Sequence, residues 1–404
     1  MKKLTLKFGG TSVGTIDKIK HVANIIKKRI SEDNQVIVIV SAMSGVTNDL
    51  TNKSNLVSKN FDNKELDVLL SSGEQISCSL LAGALIDMGI KARSWLGWQI
   101  PILTNNNYTS SQIMKIKTDE ISNFISKGGV AVLAGFQGVS TENRVTTLGR
   151  GGSDLSAVAV AKFFKTDSCE IYTDVDGVLT TDPLVHNKAK KIDKISYEEM
   201  LEMSSLGAKV MQPNAVQSSM VNNIAVHVRS TFSEKPGTKI VSEDEADHKK
   251  AVTGIAYSKS NAKVSIVGVV DKPGVAADVF EPIGKNNINV DMVIQNTSLD
   301  GKTANITFTI KQKDLNKTIN IIKKNEKKLN YNKVTHDDKL AKVSIIGAGM
   351  ISSPGVTYKM FRSLAEEKIN ILAISTSEIK ISVLIREDLT QKAVKTLHKE
   401  FNLD

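Results

Sequence analysis

The sequence predicts an α/β main domain followed by a tandem pair of small α+β units. Two observations carry this. The first 245 or so residues alternate strand-like and helix-like patterns, and the remainder contains an internal repeat. A charged stretch from Ser242 to Lys250, after the turn Ser233-Glu234-Lys235-Pro236-Gly237-Thr238, marks the boundary between them. In the first part, Val36-Ile37-Val38-Ile39-Val40 is a continuous β-branched run, the mark of a strand buried on both faces. Val130 to Ala134 and Glu170 to Thr173 are shorter strands of the same kind. Helical spacing recurs at 15–30, 65–88, 111–127 and 153–164, which gives a mostly parallel sheet between helices.

The repeat begins with Lys263-Val264-Ser265-Ile266-Val267-Gly268, which returns as Lys342-Val343-Ser344-Ile345-Ile346-Gly347. Pro273-Gly274-Val275 returns as Pro354-Gly355-Val356, Phe280 as Phe361, and Ile288-Asn289 as Ile369-Asn370. The offset is 79 residues for the first block and 81 for the rest, so two residues are inserted between them. Each copy reads strand, Pro-Gly turn, helix, strand, strand, helix, strand. The expected divisions are 1–245, 263–335 and 341–404, with a strand at 252–256 completing the last unit.

Composition bounds the function. The chain has 404 residues, 41% hydrophobic and 24% charged, as expected for a protein with sizeable cores. Its formal charge of +10 is spread along the chain, and aromatics are only 5%, so no basic, aromatic-laced nucleic-acid patch is expected. No uninterrupted apolar run reaches the 18 or so residues of a membrane span, and Lys2 and Lys3 lead into no apolar signal core. A cytoplasmic protein without membrane partners is expected. Cys78 and Cys169 lie far apart and suit a reducing compartment, and the six scattered histidines suggest no metal centre.

Lys7-Phe8-Gly9-Gly10-Thr11-Ser12 sits between a strand and a helix. The lysine, the glycines and a helix N-terminus suit an anion, although a tight turn reads equally well. The lysine precedes the glycines, unlike a Walker A loop. Ser41-Ala42-Met43-Ser44-Gly45-Val46-Thr47 closes the buried strand, where it either meets a ligand or caps a helix. Ser72-Gly73-Glu74 opens a helix, and Glu74 either favours its dipole or holds an ammonium. Gly149-Arg150-Gly151-Gly152-Ser153-Asp154 frees the backbone to wrap a ligand and offers a planar cation to a carboxylate or phosphate. Tyr172-Thr173-Asp174-Val175-Asp176-Gly177 places carboxylates at a strand end, for Mg²⁺, a ribose or a plain turn. Lys209, after Gly207-Ala208, either neutralises a phosphate or lies on the surface. Together these suggest a phosphoryl donor facing a small anionic acceptor, chemistry that needs positioning and charge neutralisation above all.

In their order these blocks resemble the aspartokinases, members of the amino acid kinase fold, and the repeat resembles their two ferredoxin-like ACT domains. Asp271-Lys272-Pro273-Gly274, Asn289 to Asn296 and Ser375-Thr376-Ser377-Glu378-Ile379 resemble the lysine- and threonine-responsive type. The resemblance spans essentially the whole chain. It implies ATP-dependent phosphorylation of the L-aspartate side chain to 4-phospho-L-aspartate, the first step of lysine, threonine and methionine biosynthesis. Lys7 and Asp154 are the implied catalytic residues. Lys7, Phe8, Gly9, Gly10, Thr173, Asp174, Leu179, Leu184 and Lys209 would serve ATP, with Mg²⁺ held mainly through the phosphates. Ser41, Thr47, Glu74, Arg150, Gly151 and Ser153 would form the aspartate pocket. Leu179 and Leu184 stand where many members have tyrosine and arginine, so one cation is missing on the nucleotide side and Lys209 carries more of ATP binding. Lysine or threonine would bind at Asp271, Gly274, Ala276, Asn289, Val290, Asp291 and Gln295 in one unit, and at Val356, Thr357, Asn370, Ile371, Ser377 and Glu378 in the other. ACT units usually pair through their sheets, so a homo-oligomer, dimer or tetramer, is expected. The competing readings are another amino acid kinase acting on glutamate or N-acetylglutamate, and a non-catalytic amino-acid sensor.

Overall fold

A computed structural model describes residues 1–208, 210–246, 250–298 and 301–404. The chain forms two compact units, residues 1–180 with 190–247, and residues 181–189 with 248–404. The short segment 181–189 therefore departs from the expected division at 245.

The first unit is built on an eight-stranded sheet. Its order is Lys194–Ser196, Thr238–Val241, Val226–Ser230, Ser168–Thr173, Lys2–Phe8, Asn34–Val40, Val130–Ala134 and Ala92–Trp95. Every pairing is parallel except that between Val226–Ser230 and Thr238–Val241. The central strands are buried on both faces, which is why they read as unbroken apolar runs. The helix Ile16–Ser31 packs Ile19, Val22, Ala23 and Ile26 onto this core and is capped by the Thr15 hydroxyl, which accepts from Lys18 N. A small four-stranded sheet, Ile113–Ile116, Ile102–Thr104, Gln137–Ser140 and Val145–Thr147, lies in the same unit.

Three local expectations are corrected. The stretch 111–127 is not one helix but the strand Ile113–Ile116 followed by the helix Asp119–Ser126. Ser72-Gly73-Glu74 does not open a helix. It lies inside Asn63–Asp87, whose N-cap is Asp62, accepting from Lys64 N and Glu65 N. This 25-residue helix is long and apolar enough to cross a membrane by length and composition, but it is half buried in the core and interrupted by Glu65, Asp67 and Glu74. Finally, the Ser41 to Thr47 block leads into a helix, Val46–Val57, whose N-cap is Gly45 rather than a hydroxyl residue.

The second unit is one antiparallel six-stranded sheet, ordered Val293–Thr297, Thr303–Lys311, Gly254–Val270, Lys333–Ile346, Lys380–Arg386 and Ala373–Thr376. Its two central strands each serve both repeats. Gly254 to Ser258 pairs with Ile346 to Lys342, while Lys263 to Val267 pairs with Asp337 to Lys333, with register shifts between. The segment expected as a separate strand at 252–256 is thus one end of a 17-residue strand. One core gathers around Val264, Ile266, Val279 and Phe308, the other around Val343, Ile345, Met360 and Leu397. The segment 181–189 belongs to the second core through Val185, and Asp182 accepts from the Tyr257 hydroxyl at 2.9 Å. Of the histidines expected to lie apart, His186 and His398 meet here, with ring centroids 4.4 Å apart.

Candidate active site

The site lies at the carboxyl ends of the central parallel strands, where an open α/β sheet leaves room for ligands. The strand Lys2–Phe8 delivers Lys7 and then turns at Gly9, whose N–H donates to Tyr172 O at 3.2 Å. The next strand delivers Ser41, whose N–H donates to Phe8 O at 3.1 Å. The helix Asn63–Asp87 crosses this corner closely enough that a side chain at Gly73 would come within 2.8 Å of the Ala42 methyl. That approach lets Glu74 Oε1 accept from Ala42 N at 3.0 Å. The helix Gly152–Phe164 points its N-terminus into the same space. Its N-cap, Gly151, has φ of 73° and fits against Gln212, which a Cβ there would overlap at 1.9 Å.

The resulting cleft measures about 630 Å³ and brings together Lys7, Gly10, Ser41, Thr47, Glu74, Arg150, Gly151, Ser153 and Asp154. Lys7 Nζ lies 2.6 Å from Asp154 Oδ1, with side chains only 11% and 9% exposed. Oδ1 nevertheless has no aligned hydrogen-bond donor, so the contact is an ion pair rather than a directed bond. Glu74 Oε2 is also buried without a partner. Burial pushes the Glu74 carboxyl up to about 7, opposed only in part by the Ala42 N–H. Arg150 is exposed at the rim. The cleft therefore joins two cations to one acceptor oxygen, Glu74 Oε2, that awaits a donor.

The other expected residues lie elsewhere. Phe8 does not face the cleft; its ring is fully buried and stacked on Tyr172 at 4.7 Å, and its carbonyl accepts from Ser41 N within the sheet, so the structure does not bring it to the ligand space. Thr173 ends the strand beside Lys2–Phe8 and Asp174 follows it, with Thr173 Oγ1 3.2 Å from Asp174 Oδ1. Leu179 is half-buried and bridges to Lys191. Leu184 is 91% exposed and belongs to the second unit. Lys209 lies outside the described residues. In the second unit, Asp271, Asn289, Asp291, Gln295, Thr357, Asn370, Ser377 and Glu378 are exposed, and Asp291 pairs with Lys342. Val290, Ala276 and Ile371 are half-buried. Val356 is a core residue, so it reaches an effector only through its backbone. Gly274, like Gly355, caps the following helix without a side-chain hydrogen bond.

Comparison with known proteins gives the chemistry a family. Residues 2–230 match the amino acid kinase family, and 264–325 and 343–401 match the ACT domain. An aspartate kinase of Stutzerimonas stutzeri is 45% identical over 405 residues, covering all of this chain and 98% of the relative. The chain belongs to the aspartate kinase family. An aspartokinase of Corynebacterium glutamicum is 41% identical over 407 residues, covering all of this chain and 97% of the relative. The solved aspartate kinase of Synechocystis is 39% identical with a TM-score of 0.56, covering 99% of this chain and 69% of that one. Aspartokinase III of Escherichia coli, solved with aspartate and ADP, shares the fold at a TM-score of 0.82 and 23% identity, covering 99% of this chain and all of that one.

Around this aspartate kinase cleft stand residues that the sequence did not single out, among them Asn48, Thr109, Phe136, Thr147 and Gln212. Buried Asp67 ties two of them together. Its carboxylate accepts from Thr109 N and Thr147 N at 3.0 Å and from the Thr147 hydroxyl at 2.5 Å. Phe136 holds φ of 68°, an uncommon conformation for a bulky residue and one that clusters at functional sites.

The position of Glu74 has a measurable consequence. Its folded value near 7 lies above the ordinary 4.5, so ionising it costs stability that grows between those pH values and is fully present above 7, on the order of 3 kcal/mol. Glu74→Gln is expected to raise the melting temperature at pH 8 and leave it little changed at pH 4. In the same variant, the rise of kcat/KM for the amino-acid substrate through pH 7 disappears. A wild-type profile flat between pH 6 and 8 contradicts this.

Proposed function

We propose that the cleft transfers the γ-phosphoryl group of ATP to the side-chain carboxylate of L-aspartate, giving 4-phospho-L-aspartate and ADP. The observation that carries the reading is the meeting of Lys7, Arg150 and the unpartnered Glu74 Oε2 in one cleft. Arg150 takes the α-carboxylate through its planar fork. Glu74 Oε2 accepts from the α-ammonium, which satisfies the orphaned oxygen and lowers its proton affinity. Thr47 and Ser153 complete the pocket, and the side-chain carboxylate is left facing Lys7. Being ionised at neutral pH, that carboxylate needs no general base.

Lys7 neutralises charge on the phosphoryl group in transit, and Asp154 holds its ammonium in place. Gly10 offers its backbone N–H, that of Gly9 being held by Tyr172 O, while Thr173, Asp174, Leu179 and Lys209 serve the nucleotide. The cleft's buried carboxylates are engaged by Lys7 and Ala42 N. Such a site fits Mg²⁺ carried in on the phosphates, where it would offset their negative charge.

The second unit is read as the regulatory part, with lysine or threonine held near Asp271, Asn289 and Gln295, and near Thr357, Asn370 and Ser377. Its edge strands carry the exposed side chains Val293 and Ile374, which suit pairing with another copy in a dimer or tetramer. Cytoplasmic operation suits two free, buried thiols. ADP release in a coupled assay tests the whole reading. Turnover is expected with aspartate, and not with glutamate or N-acetylglutamate, and to fall when lysine and threonine are added. Equal turnover with glutamate overturns the substrate assignment, and failure of both effectors overturns the regulatory one.

A further inference from the structure

We propose that His186, His398 and Asp404 form a binding site for one divalent transition-metal ion, zinc-like in its preferences, within the second unit. His186 lies on the segment 181–189, His398 in the last turn of the helix Thr390–Glu400, and Asp404 just beyond it. His186 Nε2 is 2.8 Å and His398 Nδ1 2.6 Å from the same oxygen, Asp404 Oδ1. One ligand atom from each residue lies within 4.8 Å of the others. The rings meet edge to face, so two imidazole nitrogens and a carboxylate oxygen converge on one point instead of stacking away from it.

The donor set is the kind that borderline metals select, and three protein ligands leave a fourth position for water. His398 is fully buried and His186 nearly so, while the Asp404 side chain is 31% exposed and gives an ion a way in. Hydrogen bonds from His186, His398 and Lys188 hold Asp404 below the usual carboxylate range, so it stays ionised as a ligand. Lys188 takes the other oxygen, Oδ2, at 3.3 Å and is itself 67% exposed, free to swing aside. A metal takes the lone pairs of His186 Nε2 and His398 Nδ1; a proton held there in the metal-free protein goes to the other ring nitrogen or to solvent, and none of the three groups changes oxidation state.

The site is already held in shape. Val185 sits in the core, Asp182 accepts from Tyr257, and His186 N donates to Asp182 O at 3.1 Å. An ion here would cross-link positions 218 residues apart in sequence. It would fasten a segment that leaves the first unit after Thr180 and rejoins it at Lys190, where Thr180 N donates to Lys190 O at 2.8 Å.

The test uses the full chain stripped with a chelator and without nucleotide. Zn²⁺ is titrated by calorimetry, and Co²⁺ by its visible absorption. The expected result is one equivalent per chain, an affinity that falls as pH drops through the imidazole range, and a higher melting temperature with Zn²⁺. His186→Gln and Asp404→Asn each weaken binding at least tenfold, whereas His336→Gln, at an exposed strand position, leaves it unchanged. The proposal is overturned if the wild type takes up no stoichiometric ion, or if both site variants bind as the wild type does.

Discussion

Lys7→Ala is expected to lower kcat by about 10³-fold with little change in the KM for aspartate, because the missing ammonium acts on charge that develops in the transition state. The substitution also strands Asp154, which is 6% exposed, as a buried charge without its partner. Removing one member of such a pair costs about 3–5 kcal/mol, so part of the loss could reflect unfolding. Lys7→Ala combined with Asp154→Asn separates the two effects. The pair is expected to regain most of the melting temperature and none of the turnover. Recovery of kcat in the double variant contradicts a direct role for Lys7.

The second large effect is expected at Arg150. Arg150→Ala raises the KM for aspartate by about 10²-fold, the equivalent of roughly 3 kcal/mol for a charge-assisted bidentate contact. The KM for ATP changes little. Arg150 is exposed, so the melting temperature is expected to stay within a degree or two. Arg150→Lys keeps the charge and loses the fork, and its KM falls between the two. A uniform rise in both KM values indicates instead that Arg150 shapes the Gly149–Asp154 loop.

These residues were legible in the sequence because each sits where a local signal is strong. Lys7, Ser41 and Thr173 end or follow apolar strands, and Arg150 and Asp154 stand at a glycine-rich helix start. The parallel order and the repeat were legible for the same reason. Glu74 was found, but in the wrong local setting. A serine, a glycine and a glutamate read as a helix start, whereas the true cap is Asp62 and Gly73 exists to let the helix approach Ala42. Thr109, Phe136, Thr147 and Gln212 carry no such signal. They reach the cleft through long-range pairing, such as that of Asp67 with Thr109 and Thr147, which no neighbouring residue announces. The same applies to residues 181–189, whose membership in the second unit depends on Val185, His186 and Asp182 finding partners far along the chain. The stretch 111–127 misled because its apolar spacing spans a short strand and a short helix, joined at Thr118.

The central claim is that Arg150 and Glu74 hold the α-groups of aspartate so that only the side-chain carboxylate meets Lys7. Borohydride reduction of the acyl phosphate formed from ATP and aspartate reads this directly, because the phosphorylated carboxyl becomes an alcohol. The expected product is homoserine. Recovery of 3-amino-4-hydroxybutanoate would place the phosphoryl group on the α-carboxylate and contradict the assignment of the cleft.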